Sequence, residues 1–285
     1  MINVLVTGGN GQLASCIKDL EMKHKDLTII YTDYQELNIC DLSQIEMFFK
    51  SNIKIDYCIN CAAYTAVDKA EVEVEKAFEI NAQGAKNLAI VCKEQGIVLI
   101  HVSTDFVFDG QKTKPYIETD IPKPISVYGA SKLKGEVEIQ NTLKKHFIIR
   151  TSWLYSEHGA NFMKTMLRLA ETRDEISVVS DQIGTPTYAG DLAQVILNIV
   201  SSNNKSFGLY HYSNEGVVSW YDFAKVIFEE SNTEIKINPI KTTAFPTLAK
   251  RPAYSVLDKT KIKKILNIKI PHWREPINKR LKASI

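Results

Sequence analysis

The chain has 285 residues, about twice a common single-domain length, so one large domain or two unequal ones is expected. With 45% hydrophobic and 24% charged residues the composition excludes intrinsic disorder, and no stretch approaches the ~18 uninterrupted apolar residues of a bilayer span. Thirty-five Lys and Arg against 33 Asp and Glu leave a net charge of +2, which excludes a broad electrostatic grip on nucleic acid or an anionic membrane. The opening Met1-Ile2-Asn3-Val4-Leu5-Val6 runs straight into a strand-like segment with no basic leader, so a cytoplasmic location is expected. Cysteines 16, 40, 58, 61 and 92 are an odd number in a long chain and argue against a disulfide framework. Cys58 and Cys61 form a CxxC on an apolar run, where residues three apart face opposite sides of a strand. No second Cys or His pair completes a zinc site there.

In chain order, residues 3–7 read as a buried strand, 13–23 as a helix and 27–32 as the next strand. A helix over 44–51 and a strand over 57–62 follow. Residues 74–95 read as one long helix, apolar at Ala77, Ile80, Ala85, Leu88, Ala89 and Cys92 and stopped by Gly96. A largely apolar strand over 97–102, a helix from Ser126 past Val137 and a strand over 147–151 complete the run. Continuous apolar strands alternating with helices require parallel pairing with both faces covered, hence a doubly wound α/β sheet over 1–150. Beyond 150 the alternation loosens. Helices are expected over 161–172 and 190–201, with a short strand at 176–179, and 176–205 packing on the main sheet. A helix over 219–230 precedes a loop punctuated by Pro239, Pro246 and Pro252. Residues 151–175 and 206–285 are thus expected to form a smaller, irregular α/β domain. The run containing Lys259, Lys261, Lys263 and Lys264 reads as a solvated helix face.

Thr7-Gly8-Gly9-Asn10-Gly11-Gln12-Leu13-Ala14 follows the first strand and opens the first helix. Glycine permits a tight turn and lets the backbone approach a pyrophosphate, whose charge then meets the N–H groups of the helix N-terminus. Any strand-to-helix turn can use glycine; the position at the first βα junction is what points to a dinucleotide. Gly8, Asn10, Gly11, Gln12 and Leu13 would hold it. Asp33 ends the second strand near the ~20-residue offset at which a carboxylate bonds the adenosine ribose. Read physically it favours NADH, since a 2′-phosphate would meet a like charge; a capping aspartate is the alternative. Asp41, followed by Leu42, sits where a third strand would end, near the adenine.

Tyr128-Gly129-Ala130-Ser131-Lys132 places a phenol and an ammonium on one helical face. A neighbouring cation favours the phenolate and brings a phenol from near 10 toward the working range, which general acid–base chemistry needs. The spacing alone proves little, because Tyr221 and Lys225 repeat it. Three features single out Tyr128. It lies ~25 residues beyond a buried strand ending Val102-Ser103-Thr104-Asp105, and ligands of such sheets bind at the strands' carboxyl ends. Its helix also opens after a loop rich in proline (Pro115, Pro122, Pro124) that suits a cleft wall. Thr104 would bond a substrate carbonyl or the tyrosine hydroxyl.

With these motifs the sequence resembles the extended short-chain dehydrogenase/reductase superfamily and, within it, the dTDP-4-dehydrorhamnose reductase family. The glycine turn and YxxxK belong to the superfamily. Tyr64-Thr65-Ala66-Val67-Asp68-Lys69-Ala70-Glu71 and Ser103-Thr104-Asp105-Phe106-Val107-Phe108-Asp109-Gly110 are specific to the family, supported by Arg150-Thr151-Ser152-Trp153-Leu154-Tyr155, the stretch 181–187 and Arg251-Pro252. The resemblance implies a Rossmann domain with a smaller substrate domain, and NAD(P)H-dependent reduction of dTDP-4-dehydro-6-deoxy-L-mannose to dTDP-L-rhamnose. It implies Thr104, Tyr128 and Lys132 as catalytic residues. Ala62, Ala63, Tyr64 and Asn81 stand among those around the cofactor, and Val67, Asp105, Phe106, Trp153 and Arg251 among those lining the sugar or its diphosphate. Trp153 can also be read as a core aromatic. Phe106 departs from the family's usual Tyr, and Ser15 stands where some members carry a metal-binding Glu, so no metal is expected. The family favours NADPH, with NADH possible; the expected partner is a nucleotide sugar, and the protein a monomer or homodimer. The alternatives are a reductase or epimerase of another nucleotide-linked deoxysugar and a non-catalytic regulatory subunit.

Overall fold

Val4, Leu5 and Val6 are fully buried, and a strand buried on both faces needs cover on both. The computed structural model describes residues 1–51 and 54–282. Its first half runs β1 (Ile2–Thr7), α1 (Gln12–Leu20), β2 (Leu27–Thr32), α2 (Leu42–Ser51), β3 (Tyr57–Asn60), α3 (Val67–Ala70), α4 (Val74–Phe78), α5 (Ala85–Gln95), β4 (Val98–Thr104), α6 (Val127–Thr142) and β5 (His146–Thr151). The second half runs β6 (Leu154–Tyr155), α7 (Phe162–Ala170), β7 (Glu175–Val179), β8 (Ile183–Gly184), β9 (Thr187–Tyr188), α8 (Ala189–Ser201), β10 (Gly208–His211), β11 (Val218–Ser219), α9 (Trp220–Glu230), β12 (Lys236–Ile240), α10 (Thr260–Leu266) and α11 (Arg274–Lys282).

Six strands form one parallel sheet in the order β10-β5-β4-β3-β1-β2. Side chains alternate across it. Val4, Val6, Ile59, Ile100 and Ile149 meet α1 and α8 on one face, and Leu5, Cys58, Leu99 and Ile148 meet α2, α5 and α6 on the other. The chain leaves β1 for β2 and returns to β3 on the opposite side, so the crevice at the carboxyl ends of β1 and β3 is the topological switch point where such sheets bind ligands. No disulfide joins the cysteines, with Cys58 on one face and Cys61 packed toward the other. No helix among the described residues is long and apolar enough to cross a membrane.

An aromatic core of Tyr155, Phe223 and Trp273, with Phe162 and Trp220 against it, binds α7, α9 and α11 to the parallel pair β7–β12. Ser219 and Asp222 close a capping box at the start of α9, where Tyr221 and Lys225 merely stack at 6.0 Å.

Five expectations are corrected. No third strand ends at Asp41; the Asn38 and Asp41 side chains bond the backbone of Cys40 and Gln44, which favours a turn and a helix cap over a sheet ladder. The helix over 74–95 widens into a π turn at Glu79–Gly84, where Asn81 reaches sideways to other segments. Residues 208–211, expected in the smaller domain, form the edge strand of the main sheet, and Ile262 and Ile270 join the core beneath it. Pro239 lies within a strand, tolerated because β12 belongs to a two-stranded ribbon with free edges. The lysine run is also more than a solvated face: Lys259 and Lys263 pair with Glu215, and Lys261 donates to the Leu209 carbonyl.

Candidate active site

The glycine turn lines a crevice of about 260 Å³ together with Asp33, Ala62 and Ala63. Gly8 has φ +67°, and a Cβ there would lie 2.7 Å from the Ala62 backbone nitrogen, so only glycine lets β1's turn close against the β3 loop. Gly11 precedes α1 without a side-chain cap, leaving the first N–H groups of the helix for an anion. The Asp33 carboxylate accepts from the backbone N–H groups of Asn10 (2.8 Å) and Tyr34 (2.7 Å), tying the turn to the loop after β2. An uncapped helix start, a cradle that a Cβ would fill and a carboxylate at the next strand's end fit a dinucleotide.

Not every expected cofactor residue lines this crevice. Leu13 is buried in the sheet core, Asp41 is an exposed cap with Leu42 behind it, and Gln12 accepts from Asn161 Nδ2 at 2.7 Å. Asn81 is 1% exposed and spends its amide on the Tyr64 backbone and Ser131 Oγ, so it brackets α6 against the 62–66 loop. Tyr34, Asn38, Cys40, Cys61 and Ile80 line the crevice without having been anticipated. The signal for the 34–40 group was its place directly after Asp33.

Helix α6 carries the second part. Ser126 Oγ caps it through the Gly129 N–H at 3.1 Å, and Glu71 accepts from the Val127 N–H at 2.8 Å. A Cβ at Gly129 would lie 2.2 Å from the Phe106 carbonyl, and one at Gly135 would lie 2.2 Å from that of Asn81, so two glycines set how closely α6 approaches. Tyr128 is half-buried, its ring edge-on to Phe106 at 5.5 Å and its hydroxyl facing Thr104. Thr104 ends β4, accepts from the Phe106 N–H (3.2 Å) and donates to Asp105 Oδ1 (3.2 Å). Burial pushes the phenol up to about 12, with Asp105 adding to the rise. The expected lowering by Lys132 is absent from this arrangement, because Lys132 Nζ donates to the Val102 carbonyl at 2.7 Å. Lys132 is 2% exposed. Asp105 is 2% exposed with Oδ2 unpartnered, and burial raises its carboxyl to about 6.

Phe106 also lines a cavity of about 400 Å³ beside α6. Trp153 and Arg251 line it too, with Phe162, Met166, Trp220 and Arg173 among the residues not foreseen. Trp153 has φ +46° and stacks on Trp220 at 3.6 Å, so it is a half-exposed wall rather than a core aromatic. Arg251 Nη2 meets Asp68 Oδ2 at 2.6 Å, and that guanidinium holds the Asp68 carboxyl below its usual range. Val67 opens α3, half-buried, beside Asp68. Away from both cavities, Cys16, Asp19 and His158 gather ligand-type atoms within 4.8 Å, His158 Nε2 standing 2.7 Å from Asp19.

Residues 2–285 match the family described as RmlD substrate binding domain. The dTDP-4-dehydrorhamnose reductase of Aggregatibacter actinomycetemcomitans is 42% identical over 97% of this chain and 97% of that protein. The spore coat polysaccharide biosynthesis protein SpsK of Bacillus subtilis is 42% identical over 99% and 97%. Among solved structures, the dTDP-4-dehydrorhamnose reductase of Clostridium acetobutylicum superposes with a TM-score of 0.95 at 41% identity, covering 99% of each chain. That of Bacillus anthracis, in complex with NADP, gives 0.94 at 40% identity, covering 99% and 100%. A UDP-glucose 4-epimerase of Thermus thermophilus, 20% identical with a TM-score of 0.82, shares the fold alone. With its glycine turn, its Thr-Tyr-Lys set and matches along nearly its whole length, the chain belongs to the dTDP-4-dehydrorhamnose reductase family.

Proposed function

We propose that this oxidoreductase uses NADPH to reduce the C4 ketone of dTDP-4-dehydro-6-deoxy-L-mannose, giving dTDP-L-rhamnose. The observation that carries the reading is one turn of α6 presenting Tyr128 to Thr104 and Phe106, with Lys132 behind it toward the glycine-turn crevice. When bound, NADPH supplies the hydride equivalent that C4 receives. Gly8, Gly11, Ala62 and Ala63 hold the dinucleotide. Asp33 bears on the adenosine ribose, and its two backbone N–H partners offset the charge that a 2′-phosphate would meet. Lys132 takes the nicotinamide ribose.

Thr104 orients the ketone, and the Tyr128 hydroxyl protonates the oxygen as charge develops on it. A phenol kept protonated by burial is a proton donor at neutral pH. Asp105 Oδ2, unpartnered and buried, is an acceptor for a substrate hydroxyl. Val67, Phe106 and Trp153 wall the deoxysugar, and Arg251 reaches the diphosphate, a pairing that guanidinium geometry favours. Nicotinamide absorbance followed against dTDP-, GDP- and UDP-linked 4-keto sugars tests the substrate; an epimerase would turn over with no net NADPH loss. Tyr128→Phe should cut kcat by roughly 10²–10⁴ and leave NADPH affinity within about twofold. Full activity in that variant would overturn the mechanism.

A further inference from the structure

Three buried polar side chains stand in register across the sheet beneath α6. Thr7 of β1 is paired with Asn60 of β3, and Asn60 with His101 of β4, each 1% exposed. Asn60 Oδ1 accepts from Thr7 Oγ1 at 2.8 Å and from the Ala62 backbone N–H at 3.1 Å. A backbone N–H can only donate, so the amide oxygen is fixed on that side and Nδ2 faces His101 Nδ1 at 3.0 Å. Nδ1 is therefore the unprotonated nitrogen and the ring hydrogen sits on Nε2. That nitrogen lies 3.2 Å from Lys132 Nζ, which also donates to the Val102 carbonyl. A neutral amine fits both contacts, its lone pair accepting the Nε2–H. An ammonium has no acceptor and would meet that hydrogen head on.

The surrounding charges leave the amine uncompensated. Glu136, one turn further along α6, favours the ammonium, but its oxygens already accept from Arg150 Nε (2.9 Å), Arg150 Nη2 (2.6 Å) and Ser103 Oγ (2.5 Å). Cys61, from the loop after β3, is pushed up to about 12 by burial and faces Lys132 as an uncharged thiol. Burial first, then Lys132 and His146 of β5, drive the His101 ring well toward its neutral form. Tyr128 and Asp105 act on each other a turn earlier. Burial accordingly brings Lys132 down to about 8.

We propose that His101 is a positioning residue that favours the neutral amine of Lys132 in the free enzyme on the alkaline side of neutrality, and that binding of NADPH there restores the ammonium by uptake of up to one proton. This rests on the reading of Lys132 as the ligand of the nicotinamide ribose, whose hydroxyl oxygens are acceptors that an ammonium can use. The proton comes from solvent and forms one N–H bond at Nζ.

Calorimetric titration of NADPH into the full chain, in two buffers of different ionisation enthalpy, counts that proton directly. The expected uptake is about 0.7 proton per NADPH near pH 8.5 and under about 0.2 near pH 7, with Kd weakening about tenfold per pH unit above 8. His101→Gln, whose amide can turn its oxygen to Lys132, should bring the uptake near pH 8.5 below about 0.2 while NADPH still binds. Lys132→Met should abolish it, which keeps the test decisive if the glutamine variant does not fold. Tight binding with no uptake in the wild type overturns the proton coupling and leaves the reductase reading standing. Uptake unchanged in His101→Gln overturns the role of His101. No NADPH binding at any pH overturns both readings.

Discussion

Asp105→Asn separates what the site costs the fold from what it gives to binding. Burial lifts the carboxyl from 3.8 to about 6, against the bonds from Ser255 and Thr104. At ~1.4 kcal/mol per pKa unit the folded state loses about 3 kcal/mol by holding this group ionised at neutral pH. A carboxyl raised on folding binds its proton more tightly in the native state, so the stability it leaves intact is fully present below about pH 4. That stability drains away as the pH rises through about 6. An asparagine stays neutral and removes the loss, while its amide nitrogen at the unpartnered Oδ2 position gives back about 1 kcal/mol. The net gain is about 2 kcal/mol near pH 8, or roughly 4–8 °C in Tm, falling to about zero near pH 4.5 where the amide's cost offsets it. Thermal unfolding followed by fluorescence between about pH 4.5 and 8 reads this slope, and sugar-nucleotide titration reads the accompanying rise in KM. A Tm change that is the same at both ends of the range would refute the account of Asp105.

Two further changes test the parts around it. Gly8→Ala adds a Cβ 2.7 Å from the Ala62 nitrogen at a φ of +67°, so urea unfolding should show a loss of about 2–4 kcal/mol and NADPH titration at least tenfold weaker binding. A variant with unchanged affinity would mean that the turn does not cradle the dinucleotide. Arg150→Met strands the buried Glu136 carboxylate and should cost about 3–5 kcal/mol in urea unfolding; a loss under about 1 kcal/mol would contradict the pairing seen at 2.6 Å.

The α/β alternation was legible because β1, β3, β4 and β5 are each dominated by apolar residues, and β2 could be placed to the residue. The glycine turn and Tyr128 were legible because a tight turn and a short-range phenol–lysine pair are local in sequence. What escaped notice is non-local. The walls of the larger cavity come from α7, β7, α9 and the 245–255 loop, and an apolar stripe such as Phe162, Met166 and Leu169 looks the same whether it meets a core or a ligand. The strand at 208–211 carries Gly, Tyr and His and lacks the apolar continuity that marked the others; it is recruited by pairing with β5.

The polar layer under α6 also accounts for that helix's lack of an apolar stripe. Its buried residues include Gly129, Ser131, Lys132, Gly135 and Glu136, a set that no periodicity rule selects. They meet a polar sheet surface: Thr7, Asn60 and His101 form one registered row, and Ser103, Arg150 and His211 form a second, two residues further along β4. Lys132 meets the first row and Glu136 the second, one helical turn apart. Each row fixes one end of the helix face by hydrogen bonds with defined donors and acceptors, where an apolar contact would allow sliding. The requirement is functional, because Tyr128 projects from the same helix and must keep its place against Thr104. Glycines at 129 and 135 bring the helix close enough for both rows to be reached. A hydrophobic replacement of the layer could keep the fold and even stabilise it, but it would surrender the register that sets the phenol.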